Sequence, residues 1–162
     1  MNEFPIATLA PPSVEMGKPM LIAGLGKRYT FESSKDIPAL WQKFQNYLGK
    51  VPKQVRAKGV TYGVCHNMGK DGFDYIAAVE VSDFAGLPAM FARLSIPAQR
   101  YVVFTHREHI STMKSVTMTI WKDFLPKSEF KPADAPYFER YGEDFDGRTG
   151  NGGYQIWIPI EG

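Results

Sequence analysis

The tetrapeptide "WKDF" at residues 121–124 decides the fold, because it matches the "WQKF" found about 80 residues earlier at 41–44. Both tetrapeptides lie in the middle of stretches with helical spacing of apolar residues. Two strand-like pairs repeat at nearly the same offset: "LIAG" (21–24) with "YVVF" (101–104), and "AAVEV" (77–81) with "IWIPI" (156–160). One element order repeated at one offset predicts an internal duplication.

Each half of the chain has the element order strand, helix, strand, strand. In the first half we expect strands at 19–31, 60–66 and 73–81, with a helix over 33–52. Asp36 is the expected N-cap of that helix, Pro38 lies in its first turn and Gly49 ends it. In the second half we expect a strand at 96–108, a helix over 109–128 ended by Pro126, and two closing strands in "PYFERYGEDFD" and "GYQIWIPI". A short helix is expected over 87–94.

The predicted architecture is therefore an α+β fold, a duplicated βαββ arrangement with halves at about 19–81 and 99–160. We expect the halves to be related by a pseudo-twofold axis, with antiparallel sheets, helices on one face and a central ligand groove where the halves meet. Residues 1–13 contain adjacent prolines and no periodicity, which predicts a flexible arm before a domain at 14–162.

Composition narrows the class of protein. Nineteen basic and seventeen acidic residues leave a net charge of +2, and the densest basic stretch, 50–59, is typical of a solvated loop, so nothing favours nucleic-acid binding. No apolar run approaches the roughly 20 residues that span a bilayer, and the N-terminus lacks a secretion signal. A single cysteine, Cys65, excludes an internal disulfide and fits a reducing compartment, which predicts a cytoplasmic protein.

Cofactor and metal motifs are missing from the sequence pattern. His106 and His109 are three residues apart without a third ligand nearby, and "GLGKRY" lacks the third glycine of a dinucleotide-binding fingerprint. We therefore expect no cofactor and no metal. Aromatic residues are abundant, with 3 Trp, 8 Tyr and 11 Phe, and such a surplus can build a core or line a cavity for flat apolar ligands.

The segment "YFERY" (137–141) holds the candidate functional carboxylate. On a strand, alternate side chains share a face, so Tyr137, Glu139 and Tyr141 point the same way. A carboxylate flanked by two phenols is either part of a solvated surface stripe or part of the lining of a pocket, and the segment alone does not decide between them.

Four motifs in order make the chain resemble the GyrI-like family: "IPAQRYVVFTHRE" (96–108), "WKDFLP" (121–126), "ADAPYFERYGEDFD" (133–146) and "YQIWIPI" (154–160). The resemblance covers about residues 14–160. Members are effector-binding domains of AraC- and MerR-type regulators or stand-alone proteins, including the DNA gyrase inhibitor. The resemblance implies duplicated βαββ folds with a central pocket for lipophilic, often cationic, molecules. It also implies that the glutamate of this motif, here Glu139, supports the cation.

The candidate ligand-binding residues follow from this resemblance and from the repeat. Trp41 and Trp121 are mates on the two helices, and either could reach the seam or pack in the core. Gly63 occupies in the first half the position of Glu139, which would leave room for a ligand or form a bulge. The isoleucines beside Trp157 suit the helix-covered face, which turns Trp157 toward the groove. The full candidate set is Glu139, Trp41, Tyr62, Gly63, Tyr75, Trp121, Tyr137, Tyr141 and Trp157.

Three functions remain open. The leading one is a stand-alone protein that binds lipophilic cations and sequesters them or presents them to a partner. The second is a hydrolase of reactive electrophiles in which Glu139 positions or activates water. The third is an inhibitor of a protein partner such as DNA gyrase. Because the regulators carry a helix-turn-helix domain that this sequence does not show, we expect no direct DNA binding. Any regulatory role would then pass through a protein partner, such as a transcription regulator or gyrase, or through lowering the free ligand.

Overall fold

A computed structural model describes residues 6–55 and 59–162. Eight strands form one antiparallel sheet: β1 (Ser13–Gly17), β2 (Met20–Thr30), β3 (Thr61–His66), β4 (Gly72–Val81), β5 (Ala92–Ile96), β6 (Gln99–His106), β7 (Tyr137–Tyr141) and β8 (Tyr154–Pro159). The helices are α1 (Ile37–Phe44), α2 (Met113–Thr119) and α3 (Leu125–Lys127), with a π-helical turn at Ile120–Phe124 between the last two. Short 3-10 turns lie at Ser33–Asp36, Gln45–Tyr47 and Ile110–Thr112.

The strand order β1-β6-β8-β7-β3-β4-β2-β5 reads as one four-stranded unit followed by its rotated copy. The halves meet at the pair of β3 and β7, and in the centre of this pair Gly63 lies opposite Glu139. Equivalent strands pair in both halves, β2 with β4 and β6 with β8. The registers differ by one residue from the predicted match, since Leu21 lies opposite Val81 but Tyr101 lies opposite Pro159 rather than Ile160. The predicted duplicated α+β fold is thereby confirmed, with both halves joined in a single sheet.

The two outer strands are exchanged between the halves. β1 pairs with β6 of the second half, and β5 pairs with β2 of the first half. The prediction of a short helix over 87–94 is wrong, because residues 92–96 form β5. Gly86, with φ +75°, turns the chain before this segment, and pairing with β2 then satisfies backbone groups that a lone helical turn would leave open.

The first predicted helix forms where expected but in three pieces. A 3-10 turn precedes α1 and another follows it, and Gly49, with φ +78°, ends the segment. Asp36 occupies the N-cap position and Pro38 the first turn, although the Asp36 side chain makes no capping hydrogen bond. Leu40 and Phe44 are buried against the sheet, which fixes α1 by apolar packing rather than by its cap.

The second predicted helix also forms and places Trp121 in the position that matches Trp41. α2 continues through the π-helical turn, which contains Trp121, and α3 ends at Lys127. Pro126 lies within this last turn rather than after it. Both tryptophans therefore lie on the helical connection between equivalent strands, as the repeat predicts.

Buried residues occupy both faces of the sheet. Under the helices lie two clusters, one of them around Tyr75, Ala77 and Val79 and the other around Val102, Ile156 and Ile158. The opposite, helix-free face holds a third cluster, which includes Tyr62, Tyr101, Val103, Phe138 and the partly buried Trp157. Side chains on a strand alternate between faces, so each strand contributes to both layers.

The N-terminal segment 6–12 has no regular structure in the described part. Its Ala7 N–H donates a hydrogen bond to Thr119 Oγ1 (2.9 Å), and Ala7 and Leu9 pack against the cluster under α2. Residues 1–5 of the predicted arm, and 56–58 of the basic stretch 50–59, lie outside the described residues. Within the described ranges, no helix has the length and apolar character needed to cross a membrane.

Candidate functional site

Glu139 lies on β7, on the helix-covered face and next to the pseudo-twofold axis. Two phenols reach its Oε1: the Tyr75 hydroxyl donates at 2.8 Å and the Tyr141 hydroxyl at 2.7 Å. Tyr141 is a neighbour on the same strand face, whereas Tyr75 comes from β4, one strand beyond β3. The carboxylate is therefore held from both halves of the molecule.

Gly63 makes this arrangement sterically possible. It lies directly opposite Glu139 in the register of β3 with β7. A Cβ built on Gly63 would lie less than 3.0 Å from both the Tyr75 hydroxyl oxygen and Glu139 Oε1. The room that the sequence predicted for a ligand beside Gly63 is thus filled by the carboxylate and a phenol of the protein itself.

Trp41 covers both phenols from α1. Its Nε1 donates a hydrogen bond to the Tyr75 hydroxyl at 2.8 Å. Its ring also packs edge-on against Tyr141, with centroids 5.6 Å apart and planes at 81°. Two consecutive hydrogen bonds, from Trp41 to Tyr75 and from Tyr75 to Glu139, link the helix of the first half to the central strand of the second half.

The protein bonds one oxygen of the Glu139 carboxylate and leaves the other open. Burial raises the pKa of Glu139, and the hydrogen bonds from Tyr141 and Tyr75 lower it in part. Both bonds go to Oε1, so Oε2 has no hydrogen-bond partner among the described residues, and none of their cationic side chains forms an ion pair with it. Burial, followed by the nearby charge of Glu139, raises the pKa of Tyr75 and of Tyr141 well above the usual value, so both phenols remain protonated donors.

Tyr137 and Trp121 extend the same face toward the second helix. Their rings pack with centroids 5.5 Å apart. Cys65 on β3 lies opposite Tyr137, and burial raises the pKa of its thiol well above the usual value. The sequence analysis did not place Cys65 here, although its alternation with Gly63 along β3 was an available signal. A cavity of about 500 Å³ is lined by Tyr137, Cys65 and residues around them.

Tyr62 and Trp157 lie on the opposite, helix-free face and do not meet Glu139. Both pack on Phe138, which follows from alternation because Phe138 is the neighbour of Glu139 on β7. The rings of Trp157 and Phe138 are stacked at 18°, and Trp157 Nε1 donates to Gln155 at 3.0 Å. The isoleucines beside Trp157 do face the helices as expected, but the carboxylate lies on their side of the sheet and Trp157 does not.

The structure thus brings together on one face Glu139, Gly63, Tyr75, Tyr141, Trp41, Tyr137 and Trp121. Of these residues, Tyr75 was a weaker candidate in the sequence, since cross-strand packing is the commoner role of a tyrosine on a strand. Among the described residues, no group of three His, Cys, Asp or Glu side chains is arranged to hold a metal ion.

Comparison with known proteins agrees with this architecture. The family model of the GyrI-like small molecule binding domain matches residues 10–161. The transcriptional regulator BrlR of Pseudomonas aeruginosa is 28% identical over 130 residues, which cover 76% of this chain and 46% of BrlR. The chain therefore spans about half the length of this curated relative.

Solved structures share the fold at lower identity. SAV2435, solved bound to tetraphenylphosphonium, superposes with a TM-score of 0.76 at 18% identity, over 93% of this chain and 94% of that one. An integron cassette protein from the mobile metagenome of Vibrio cholerae gives a TM-score of 0.69 at 22% identity, over 94% and 97% of the two chains. At these identities the likeness concerns the fold alone.

Proposed function

Because the chain belongs to the GyrI-like family of small-molecule-binding domains, we propose that its ligand is a lipophilic organic cation bound against Glu139. One observation carries the proposal. The Glu139 carboxylate is surrounded by aromatic rings and held by two phenols, yet its Oε2 has neither a hydrogen bond nor an ion pair among the described residues. Glu139 is partly buried, and Oε2 is not among the buried side-chain atoms that lack a partner, so this oxygen is open to solvent and to a cationic ligand.

The energetics favour a cation over a neutral ligand. A desolvated carboxylate is unfavourable unless a positive charge compensates for it, and the raised pKa of Glu139 reflects that cost. A bound cation removes the cost, and each aromatic face beneath it adds about 0.5 to 2 kcal/mol of cation–π attraction. Charge and aromatic surface then select the same class of ligand.

The aromatic rings on this face suit a ligand that is apolar as well as charged. Trp41 and Tyr141 lie on one side of the carboxylate, and Trp121 with Tyr137 lies further along the same sheet face. SAV2435, which shares the fold, binds tetraphenylphosphonium, a cation enclosed by four phenyl rings. We use that molecule as the model ligand for this chain.

Binding of so large a molecule requires the aromatic layer to rearrange. Glu139 is partly buried, and neither the cavity of about 410 Å³ nor that of about 500 Å³ is lined by it. Trp41 covers the phenols from α1, a helix of only eight residues flanked by 3-10 turns. We infer that displacement of the Trp41 ring from Tyr141 opens this face to a ligand.

Direct titration with tetraphenylphosphonium tests the proposal. Saturable binding is expected for the wild type, and Glu139→Gln should weaken it by about thirtyfold or more, because loss of a desolvated charge pair costs about 2 to 5 kcal/mol. Glu143→Gln, which changes an exposed carboxylate close in sequence, is the matched control and should bind as the wild type does. Neutral triphenylphosphine oxide should bind Glu139→Gln as well as it binds the wild type.

Equal affinity of the wild type and Glu139→Gln for the cation would contradict the counter-ion role. The hydrolase alternative makes a different prediction. There, a neutral electrophile is consumed with turnover, and Glu139→Gln abolishes this turnover while leaving the protein folded.

In the cell, the consequence of ligand binding follows from mass action. We propose that the protein acts in the cytoplasm, where it lowers the free concentration of its ligand or is recognised in its bound state by a separate protein such as a transcription regulator. Lowering the free ligand requires binding to the native protein. A ligand that binds only the native state raises the unfolding temperature, so thermal unfolding with and without tetraphenylphosphonium tests that binding.

A further inference from the structure

The helix-free face ends in a cavity of about 410 Å³ at the C-terminal ends of β6 and β7 and the start of β8. Thr105, Arg140 and Gln155 line it, each from a different strand. We propose that this cavity is a second binding site, separate from Glu139, that takes a small organic anion through the guanidinium of Arg140. Its volume lies within the range of about 300 to 1,000 Å³ that is usual for small-molecule sites.

A row of polar side chains crosses the sheet at this point. In register, Arg140 lies opposite Tyr62 on one side and Gln155 on the other, and Gln155 lies opposite Thr105. The next row on the same face is apolar and consists of Val64, Phe138, Trp157 and Val103. The polar row therefore marks the edge at which the buried cluster of this face gives way to the cavity.

Within the row, the side-chain amide of Gln155 is already hydrogen-bonded within the protein. Its Oε1 accepts from Trp157 Nε1 at 3.0 Å, and its Nε2 donates to Thr105 Oγ1 at 3.1 Å. Gln155 thus forms a fixed wall beside Arg140, held by Trp157 of its own strand and by Thr105 of β6. A rigid wall of this kind holds a ligand group at the guanidinium at little entropic cost.

Arg140 is the charged member of the row, and its guanidinium lacks an ion-pair partner among the described residues. The residue is partly buried, and none of the described Asp or Glu residues forms an ion pair with it. Its contact with the Tyr62 hydroxyl lowers the pKa of that phenol, against a larger increase caused by burial. A guanidinium has five donors in a planar fork that matches a carboxylate or phosphate, so most of its hydrogen-bonding capacity is open to a ligand.

His106, which borders the cavity, does not add a second ligand-binding group beside Arg140. His106 lines the cavity, and its buried Nε2 makes no hydrogen bond within the described part of the chain. The nearest carboxylate oxygen, on Glu108, is 3.7 Å away, which is too far for a hydrogen bond. The His106 ring packs against Tyr154, which belongs to the cluster under the helices, so the imidazole lies on the face opposite Arg140 and Arg140 is the ligand-binding group of the proposed site.

The acidic residues of the cavity do not neutralise Arg140. Glu143 and Asp144 line it, but both are exposed, and so is Arg107 on the other side. Exposed charges are screened by water and salt, whereas a partly buried guanidinium is screened much less. The cavity is therefore expected to accept a single anionic group at Arg140, with the apolar part of the ligand toward Val60 and Phe145.

This site is independent of the proposed cation site. Glu139 and Arg140 are consecutive on β7, so their side chains lie on opposite faces of the sheet. Changing one charge leaves the other face intact, and each site can be disabled separately.

Calorimetric titration with benzoate and with inorganic phosphate tests the proposal. Benzoate should bind saturably, and Arg140→Gln should weaken it by about tenfold or more, since a charge-assisted bidentate contact is lost. Arg148→Gln removes an exposed guanidinium outside the cavity and should leave benzoate affinity unchanged, as should Glu139→Gln. Unchanged tetraphenylphosphonium binding in Arg140→Gln would show that this variant is folded.

Two results would overturn the site: no saturable binding of either probe up to about 10 mM, tenfold beyond the ~1 mM range of weak ligands, or equal benzoate affinity in the wild type and Arg140→Gln. Phosphate binding that exceeds benzoate binding, with the same dependence on Arg140, would support the anion site and assign it to phosphate-bearing ligands.

Discussion

Replacement of Gly63 by alanine tests the geometry of the candidate site with a single methyl group. The added Cβ would lie less than 3.0 Å from the Tyr75 hydroxyl oxygen and from Glu139 Oε1, so at least one of these groups must move. Tyr75 is only 1% exposed and is held by Trp41, so it cannot swing into solvent. Overpacking a buried site costs about 1 to 3 kcal/mol.

The displaced hydrogen bond adds to this cost. Separation of the Tyr75 hydroxyl from Glu139 forfeits about 1 kcal/mol and leaves the buried Tyr75 O–H without an acceptor, although Trp41 still donates to its oxygen. Urea unfolding of Gly63→Ala should therefore show a free energy of unfolding about 2 to 4 kcal/mol below that of the wild type. The same variant should bind tetraphenylphosphonium more weakly, because the carboxylate moves with the phenol.

Two further variants make the result specific. Gly147→Ala is the matched control: its Cβ meets only Gln45 Nε2, at 3.4 Å, so its free energy of unfolding should change by less than about 0.5 kcal/mol. Tyr75→Phe removes the clashing oxygen and should recover part of the loss when it is combined with Gly63→Ala. The reasoning is refuted if Gly63→Ala is as stable as Gly147→Ala, or if the double variant shows no coupling between the two positions.

Other expectations concern pH, the tryptophan hydrogen bond and nucleic acid. The pKa of Glu139 is higher in the folded than in the unfolded protein, so its contribution favours folding below its ordinary pKa of about 4.5 and is lost as the pH rises through the folded value. The free energy of unfolding of ligand-free Glu139→Gln, relative to that of the wild type, should accordingly be higher at pH 7 than at pH 4. Unfolding curves of both proteins at the two pH values measure this difference. Binding of tetraphenylphosphonium should weaken as the pH falls through the folded pKa, and pH-independent affinity would contradict a carboxylate counter-ion. Trp41→Phe removes the hydrogen bond to Tyr75 and should lower the free energy of unfolding in urea by about 0.5 to 1.5 kcal/mol. An unchanged free energy of unfolding would contradict that hydrogen bond. Finally, with a net charge of only +2, the 162-residue chain should give no sequence-specific complex in a mobility-shift assay at physiological salt, with or without tetraphenylphosphonium, and a specific complex would refute this expectation.

The amino-acid sequence by itself determined the duplication and the elements that repeat. "WQKF" and "WKDF" lie at matching places on the two helical connections, and the paired strand motifs recur at nearly one offset on equivalent strands. It also determined that Tyr137, Glu139 and Tyr141 share one face of a strand, since side-chain alternation is a local property of the backbone. These predictions depend only on residues that are close in the chain.

Tertiary structure decided which groups meet. Tyr75 lies 64 residues from Glu139 in the chain, and only the placement of β4 beside β3 brings its hydroxyl to the carboxylate. Residues 92–96 became a strand because the edge of β2 was available, and no local pattern encodes that partner. Alternation also predicted that Trp157 and its neighbouring isoleucines face opposite sides without saying which side holds Glu139. The period of a strand identifies the residues that share a face, whereas the pairing of distant strands decides what that face contacts.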